Sequence, residues 1–299
     1  MNLNLHLLRL FVAVIEHRSF SRAAEALHIS QPAVSRGVRA FEEQVGNRLL
    51  DRGPDGIAPT EAGRILLRHA MPLFAAERAA AEDLAALRGL SAGSLRIGAS
   101  TTIATWYLPR LLAAYHRAHP DVSLRLSAAN TQEIADRLVS RDLDLALVEG
   151  PIAHPSIAVR PWKRDHLVWV AASGHPLAQT GALLSPDCLQ GQVIVVREPG
   201  SGTRDVGSAA LQEHGITPRA MMEVGDTAAI KQVVVAGIGI ALLSEAAVRP
   251  QLALGELAIL PIRDFSVTRW LSRLSLSGRQ PSAAAAMFEA LLDAEQDGD

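Results

Sequence analysis

The sequence predicts two unlike parts joined by a long helix. The front is mainly helical and closes with a small hairpin, and the back is an α/β segment. Three observations carry this. Up to about residue 88 the apolar residues recur at helical spacing, broken by one turn tetrapeptide, Gly53-Pro54-Asp55-Gly56. Within that stretch Leu66, Leu73, Ala80 and Leu87 return every seven residues. From Ser94 onward short strand-like runs alternate with helical ones, which is the pattern of a parallel sheet. A chain of 299 residues with 48% hydrophobic content has material for more than one core.

Leu7, Leu10, Phe11 and Val14 fall on one face of a first amphipathic helix. A second is expected from about Ser21 to Leu27, with Ala23, Ala24 and Leu27 small enough for close packing. The stretch HISQPAVSR, His28 to Arg36, starts a third. Ser30 suits the N-cap, where its hydroxyl can accept from an early backbone N–H, and Pro32 is tolerated in a first turn. Val34, Val38, Phe41 and Val45 make the buried stripe of this helix. Gln31, Ala33, Ser35, Arg36 and Arg39 fall largely off it. Short hydrogen-bonding groups approach base edges and arginines neutralise phosphate, so this front suits a DNA major groove. The same spacing would also fit an ordinary three-helix unit with a solvated face. The next residues favour the first reading. Leu49-Leu50-Asp51-Arg52 and Ile57-Ala58 flank the turn, giving a β-hairpin wing with Arg52 at its edge. The expectation is a winged helix-turn-helix in which Ser30, Gln31, Pro32, Ala33, Ser35 and Arg36 line the major groove, with Arg52 on the backbone. Residues 1–68 hold nine arginines against seven acids, and the whole chain carries a net −2. Any DNA contact is therefore local, and affinity should depend on dimerisation.

Thr60 can cap a helix running to about Arg88. Its seven-residue repeat reads as a coiled-coil-like seam, or else as a helix lying on its own domain. Pro72 removes one backbone hydrogen bond and meets the carbonyl of Arg68, which predicts a kink. Gly89-Leu90-Ser91-Ala92-Gly93 reads as a flexible junction.

In the back segment, strands are expected at 95–98, 122–126, 143–148, 166–172, 193–196, 238–243 and 270–276. Helices are expected at 106–119, 131–141, 203–214, 228–236 and 283–293. Hydroxyl residues follow several strands: Ser100-Thr101-Thr102, Asn130-Thr131, Asp226-Thr227, and the run from Arg197 to Arg204. Such groups at helix N-termini suit an anion, and equally suit ordinary capping.

Several classes of function are disfavoured. Cys188 is the sole cysteine, so an intrachain disulfide and a cysteine metal cluster are excluded. The ten histidines are scattered without metal-ligand spacing. Gly200-Ser201-Gly202-Thr203 lacks a phosphate-loop lysine, Gly237-Ile238-Gly239 follows a helix, and no G-x-S-x-G occurs. No enzyme, metal or cofactor is expected. The apolar start lacks a basic leader and cleavage site, and no run reaches membrane-spanning length, so a soluble cytoplasmic protein is expected.

The run Phe20-Ser21-Arg22-Ala23-Ala24-Glu25-Ala26-Leu27-His28-Ile29-Ser30-Gln31-Pro32-Ala33-Val34-Ser35 resembles the winged-helix motif of LysR-type transcriptional regulators. Thr60-Glu61-Ala62-Gly63 resembles the start of that family's linker helix. Phe41, Leu50 and Gly37 depart from the usual pattern, and Gly37 is expected near the DNA face. The resemblance implies a DNA-binding domain at 1–59, a linker and dimerisation helix at 60–90, and an effector-binding domain at 91–299. It implies a periplasmic-binding-protein-like build for the last, with lobe I at 91–161 and 267–299 and lobe II at 162–266. Chain crossings would then lie near Arg160–Lys163 and Phe265–Arg269. In such folds ligands sit at the carboxyl ends of strands. That places Ser100, Thr101, Thr102, Thr131, Glu149, Ser201, Gly202 and Thr203 around an effector, with Arg197 or Arg204 offsetting Glu149. The implied partners are double-stranded DNA, a small-molecule effector and further copies of the chain in a homodimer or homotetramer. Ser100-Thr101-Thr102, Leu147-Val148-Glu149-Gly150-Pro151 and Arg197 through Arg204 resemble the family branch that responds to sulfur and carbon assimilation. A small oxyanion such as sulfate or sulfite, or an anionic metabolite, is the expected effector. The rival readings are a cytoplasmic small-molecule-binding protein or an enzyme, each with an unrelated helical front.

Overall fold

The computed structural model describes residues 2–53, 56–87, 93–278 and 280–296. Pro54 and Asp55 of the expected turn, residues 89–92 of the expected junction, and the side chains of Arg52 and Leu87 lie outside the described residues. The chain forms two compact units, Met1–Ala80 and Ala81–Asp299.

In the first unit α1 (Leu5–His17), α2 (Phe20–Ala26) and α3 (Gln31–Val45) pack around Phe11, Val34, Val38 and Phe41. Asn4 caps α1 by accepting from His6 N at 3.0 Å and Leu7 N at 3.3 Å. The turn between α2 and α3 is a Schellman motif, with N–H of His28 on the carbonyl of Glu25 and N–H of Ile29 on that of Ala24. His28 takes the left-handed conformation this motif needs, at φ 55°. Ser30 stands at the N-cap of α3, but its side chain makes no capping bond, so its hydroxyl stays free on the surface. That corrects the expected role. Gly37 is also corrected. A Cβ there would lie 2.3 Å from Leu10 Cδ1, so this glycine faces α1 and permits the close approach of α1 and α3.

The hairpin pairs β1 (Leu50–Gly53) with β2 (Gly56–Pro59), antiparallel, Leu50 opposite Pro59. Glu42 fastens it to α3, accepting from Leu49 N at 2.7 Å and Leu50 N at 3.2 Å. Thr60 accepts from Gly63 N at 3.1 Å and starts α4 (Glu61–Leu87), which runs through Pro72. Gly63 must be glycine because a Cβ would meet the Leu49 carbonyl oxygen at 2.2 Å. The expected seam divides. Leu66 is half-buried against the core of the first unit, together with Leu67, Met71 and Phe74. Leu73 is 40% exposed, as is Ile65 at 46%.

The second unit is built on a seven-stranded sheet. Its elements are β3 (Ser94–Ser100), α5 (Leu108–Ala118), β4 (Ser123–Ala129), α6 (Thr131–Val139), β5 (Leu145–Glu149) and β6 (Ile157–Ala172). After these come α7 (Pro176–Gln179), β7 (Val193–Val196), α8 (Gly202–Glu213), β8 (Ala220–Glu223), α9 (Thr227–Val235) and β9 (Ala241–Ser244). The unit ends with α10 (Glu245–Ala253), β10 (Leu257–Ile259), β11 (Val267–Leu276) and α11 (Ala283–Gln296). The strand order is β10-β6-β11-β5-β3-β4, β9 also pairs with β6, and β7 with β8 form a separate parallel pair. β3 is parallel to β4 and β5, whereas β11 is antiparallel to β5 and β6.

Two lobes follow from this topology. The first centres on Leu95, Ile97, Leu108, Tyr115, Trp162 and Phe288, the second on Trp169, Ile194, Leu211, Ile240 and Phe265. The crossing segments are strands, not loops. β6 pairs with the far end of β11 in the first lobe and with β9 and β10 in the second. The register slips where Leu271 faces Lys163 and Ser272 faces Pro161, leaving Trp162 as a bulge. Its indole is buried and donates to the Leu292 carbonyl at 3.1 Å. The expected helix from Trp106 begins instead with a wide turn over Ile103–Tyr107, and α5 proper starts at Leu108. β8, α10 and β10 were not expected from the sequence. Among the described residues no helix is long and apolar enough to cross a membrane.

Candidate functional site

The first unit presents one polar face. Ser30, Gln31, Pro32 and Arg36 are exposed, Ala33 and Ser35 are half-buried, and Val34 and Val38 between them are sealed in the core. The expected DNA-facing residues of α3 therefore share the open side of its first two turns, with Arg39 one turn further on. The side chain of Arg52 lies outside the described residues, but its backbone is in β1 of the hairpin.

In the second unit Glu149, at the end of β5, is the hub where the two lobes meet. It is 2% exposed. Ser100 donates to it, and Thr131 donates to its backbone carbonyl at 2.8 Å. Burial holds its carboxyl above the ordinary carboxylate range, against the pull of Arg269 and a hydrogen bond from Thr102. Arg269 Nη1 stands 3.8 Å from Glu149 Oε1 and donates to Thr203 at 2.8 Å. Its Nε donates to Asp165 at 2.8 Å. Asp165 in turn accepts from Tyr107 at 2.8 Å and Ser244 at 2.7 Å. Burial and then the Asp165 charge push the Tyr107 phenol well up, so it keeps its proton.

A second guanidinium crosses the cleft. Arg197, 2% exposed, donates from Nη1 to Thr101 in the first lobe at 2.8 Å and to Thr227 at 3.0 Å. It also pairs with Glu198, whose carboxyl it holds low despite partial burial. Gly202 opens α8 flush against β5, and a Cβ on it would lie 1.8 Å from the Glu149 carbonyl oxygen. Gln132 N donates to the Gly200 carbonyl at 3.2 Å, a backbone bond between lobes. Ser201, buried beside them at the N-cap of α8, spends no side-chain bond on that helix.

The structure thus brings Ser100, Thr101, Thr102, Thr131, Glu149, Ser201, Gly202 and Thr203 to one junction. It corrects the choice of countercharge in part: the Arg197 charge does act on Glu149, as expected, but Arg269 acts on it more strongly. Arg269 faces Glu149, whereas Arg204 donates to the Arg197 carbonyl and to Glu223. Arg269, Asp165, Tyr107 and Ser244 were missed. A usable signal existed for one of them: Arg269 interrupts the strand-forming run Val267-Thr268-Arg269-Trp270-Leu271, and buried strand charges are seldom unpaired, whereas Asp165 is hidden in the polar run Lys163-Arg164-Asp165-His166. Among the described residues no group of three His, Cys, Asp or Glu could hold a metal ion.

Residues 5–64 match the family described as bacterial regulatory helix-turn-helix protein, lysR family, and residues 88–296 match the LysR substrate binding domain. The chain belongs to the LysR family of transcriptional regulators. Among its relatives is the RuBisCO operon transcriptional regulator of Acidithiobacillus ferrooxidans, 35% identical over 99% of this chain and 95% of the relative. The HTH-type transcriptional regulator CysL of Bacillus subtilis is 35% identical over 89% of this chain and 88% of its own. Among solved structures, the CcmR regulatory domain of Synechocystis in complex with 2-PG has a TM-score of 0.64 at 30% identity, covering 68% of this chain and 97% of that one. Full-length OxyR from Pseudomonas aeruginosa, at 23% identity and TM-score 0.74 over 98% of this chain and 94% of its own, shares the fold. The front unit of this LysR-family member is its DNA-binding domain, and the two-lobed unit is its effector domain. The relatives are named as regulators, which sets the enzyme reading aside.

Proposed function

We propose that this regulator reads operator DNA with Ser30, Gln31, Pro32, Ala33, Ser35 and Arg36, with Arg52 on the backbone, and is controlled by a small anionic metabolite held between its lobes. The observation that carries the effector reading is the junction itself. Buried hydroxyls and two buried guanidiniums, Arg197 and Arg269, converge there with a free Ser201 hydroxyl at a helix N-terminus. An anion that carries a donor fits better than a bare sulfate, which brings two charges and no hydrogen-bond donor to a junction that holds Glu149. A carboxylate or phosphate ester that also carries a hydroxyl could donate to Glu149 while accepting from Ser201. Relatives named for the RuBisCO operon, and the 2-PG complex of the CcmR domain, favour the carbon-assimilation side of the branch over the sulfur side.

The same reading makes the working form a homodimer or homotetramer acting in the cytoplasm. Ile65, Leu73 and Ala80 leave an exposed apolar strip on α4, away from Leu66 and its core. The expected domain limits, 1–59, 60–90 and 91–299, are retained as working boundaries. The test is calorimetric titration of the full chain with small phosphate esters, carboxylates, sulfate and thiosulfate, and of Ser201→Ala with Thr203→Val. Binding that survives this double variant unchanged would put the effector elsewhere.

A further inference from the structure

A second concavity lies across the crossing strands. It is a groove of about 530 Å³, a size that holds a metabolite. α5 of the first lobe supplies Arg110 and α10 of the second supplies Arg249, with Lys163 to His166 of β6 along the floor. Trp106 and Tyr107 form an aromatic wall, and α11 contributes Glu295.

Three groups here lack what their chemistry calls for. Arg110 is exposed and makes no hydrogen bond or ion pair among the described residues. Arg249 has only a 3.7 Å approach to Glu245, with its own side chain 72% exposed. Oε2 of Glu295 is buried and accepts no hydrogen bond. A free guanidinium calls for an anion, and an orphaned buried carboxylate oxygen calls for a donor. The negative groups facing the groove are Glu245, Glu295 and Asp165, and Asp165 is already neutralised by Arg269. Arg164 is taken up in stacking over Trp270 at 4.0 Å.

We propose that this groove is a second ligand site, for a small organic anion that also carries a hydroxyl donor, of the hydroxylated phosphate-ester class. Its anionic end lies between Arg110 and Arg249, and its hydroxyl donates to Glu295. Such a ligand touches both lobes at once. The groove floor also connects to the cleft: Tyr107 and Ser244 hold one oxygen of Asp165, Arg269 holds the other, and Arg269 reaches Thr203 and Glu149. That coupling rests on the effector reading above, whereas binding in the groove does not.

The test uses the full-length chain and two probes, glycerol 3-phosphate and inorganic phosphate, titrated calorimetrically. Glycerol 3-phosphate should bind about tenfold more tightly than phosphate, the worth of one charge-assisted hydrogen bond. The surface variant Arg110→Ser with Arg249→Ser should weaken both probes by tenfold or more. Glu295→Ala should bring glycerol 3-phosphate down to the level of phosphate, and each of these effects should be seen in a Ser201→Ala, Thr203→Val background, where the cleft no longer competes for the probes. No saturable heat up to about 10 mM glycerol 3-phosphate, about the weakest binding worth scoring, overturns the proposal. So does equal binding of the two probes, or unchanged binding in the double arginine variant. Loss of all binding in that background moves the anion to the cleft, which supports the effector reading and refutes the groove.

Discussion

Adding one methyl group at Gly202 should pry the lobes apart. The new Cβ would stand 1.8 Å from the Glu149 carbonyl oxygen, 2.6 Å from its carbonyl carbon and 3.1 Å from Gly150 N. All three are backbone atoms at the end of a buried strand, so no side chain can swing aside. Relief requires the start of α8 to withdraw from β5 by more than an ångström. That displacement breaks the Gln132 N to Gly200 carbonyl bond, now 3.2 Å, and stretches the Arg269 to Thr203 bond beyond reach from 2.8 Å. A neutral bond is worth about 1 kcal/mol and a charged one about 2 kcal/mol, so the closed arrangement should lose about 3 kcal/mol. That is about a hundredfold in the ratio of closed to open. Amide hydrogen exchange reads this without knowledge of the effector. In Gly202→Ala the Gln132 amide should exchange about a hundredfold faster, while amides of the β3 core keep their protection. Unchanged protection at Gln132 in the variant would show that the glycine contact does not hold the lobes together.

Four further outcomes follow from the structure. Gln31→Ala should cost ~1–3 kcal/mol of base discrimination, and Arg36→Ala should lower the salt slope of binding by about one, both read from operator titrations at several salt concentrations. Leu73→Glu, on the exposed strip of α4, should dissociate the linker pair with the front unit still folded, visible as a halved mass by ultracentrifugation; Leu66→Glu should instead melt the front unit, because Leu66 packs in its core. Burial raises the Glu149 carboxyl, so the folded chain holds that proton more tightly than the unfolded one. Stability should therefore fall as pH rises from the ordinary glutamate value of 4.5 toward the raised folded value, and Glu149→Gln should flatten that slope in pH-dependent melting curves. His28→Gly should raise the stability of the front unit by ~0.5–1 kcal/mol in denaturant unfolding, since the Schellman position at φ 55° strains any residue with a Cβ.

The sequence carried some of these features better than others, for physical reasons. The front unit was legible because each of its parts is local. The stripe of Val34, Val38 and Phe41, the pairing of 50–53 with 56–59 and the cap at Thr60 all act within a few residues. Ser30 and Gly37 were misjudged because their roles are settled by what lies opposite, solvent in one case and Leu10 in the other. In the second unit the alternation of strand and helix was plain, and so were the hydroxyls at strand ends. α10 was hidden by Pro250, and β8 by an exposed Ala-Met-Met-Glu run with no apolar alternation. The polar junction was half legible. Ser100, Thr102 and Thr203 could be placed by the rule of strand ends, but Arg269 reaches Glu149 from a strand more than a hundred residues away. Only the antiparallel register of β11 on β5 and β6 brings it there. Likewise Leu66 and Leu73 share a heptad phase in sequence, and only tertiary packing separates the one that faces the core from the one that faces out.

β6 passes from one lobe to the other as sixteen uninterrupted residues, locked to β11 along most of its length. A connection of that kind behaves as a leaf spring. Its stiffness comes from ladder hydrogen bonds that must all flex together, so the lobes cannot swing through the wide arc that a pair of loops would allow. The softest point is the bulge at Trp162, and there the indole is clamped into the first lobe by the Leu292 carbonyl. Bending is thus concentrated at that fulcrum. A sensor built this way turns occupancy of its cleft into a hinged movement about one strand rather than a free swing between two loops.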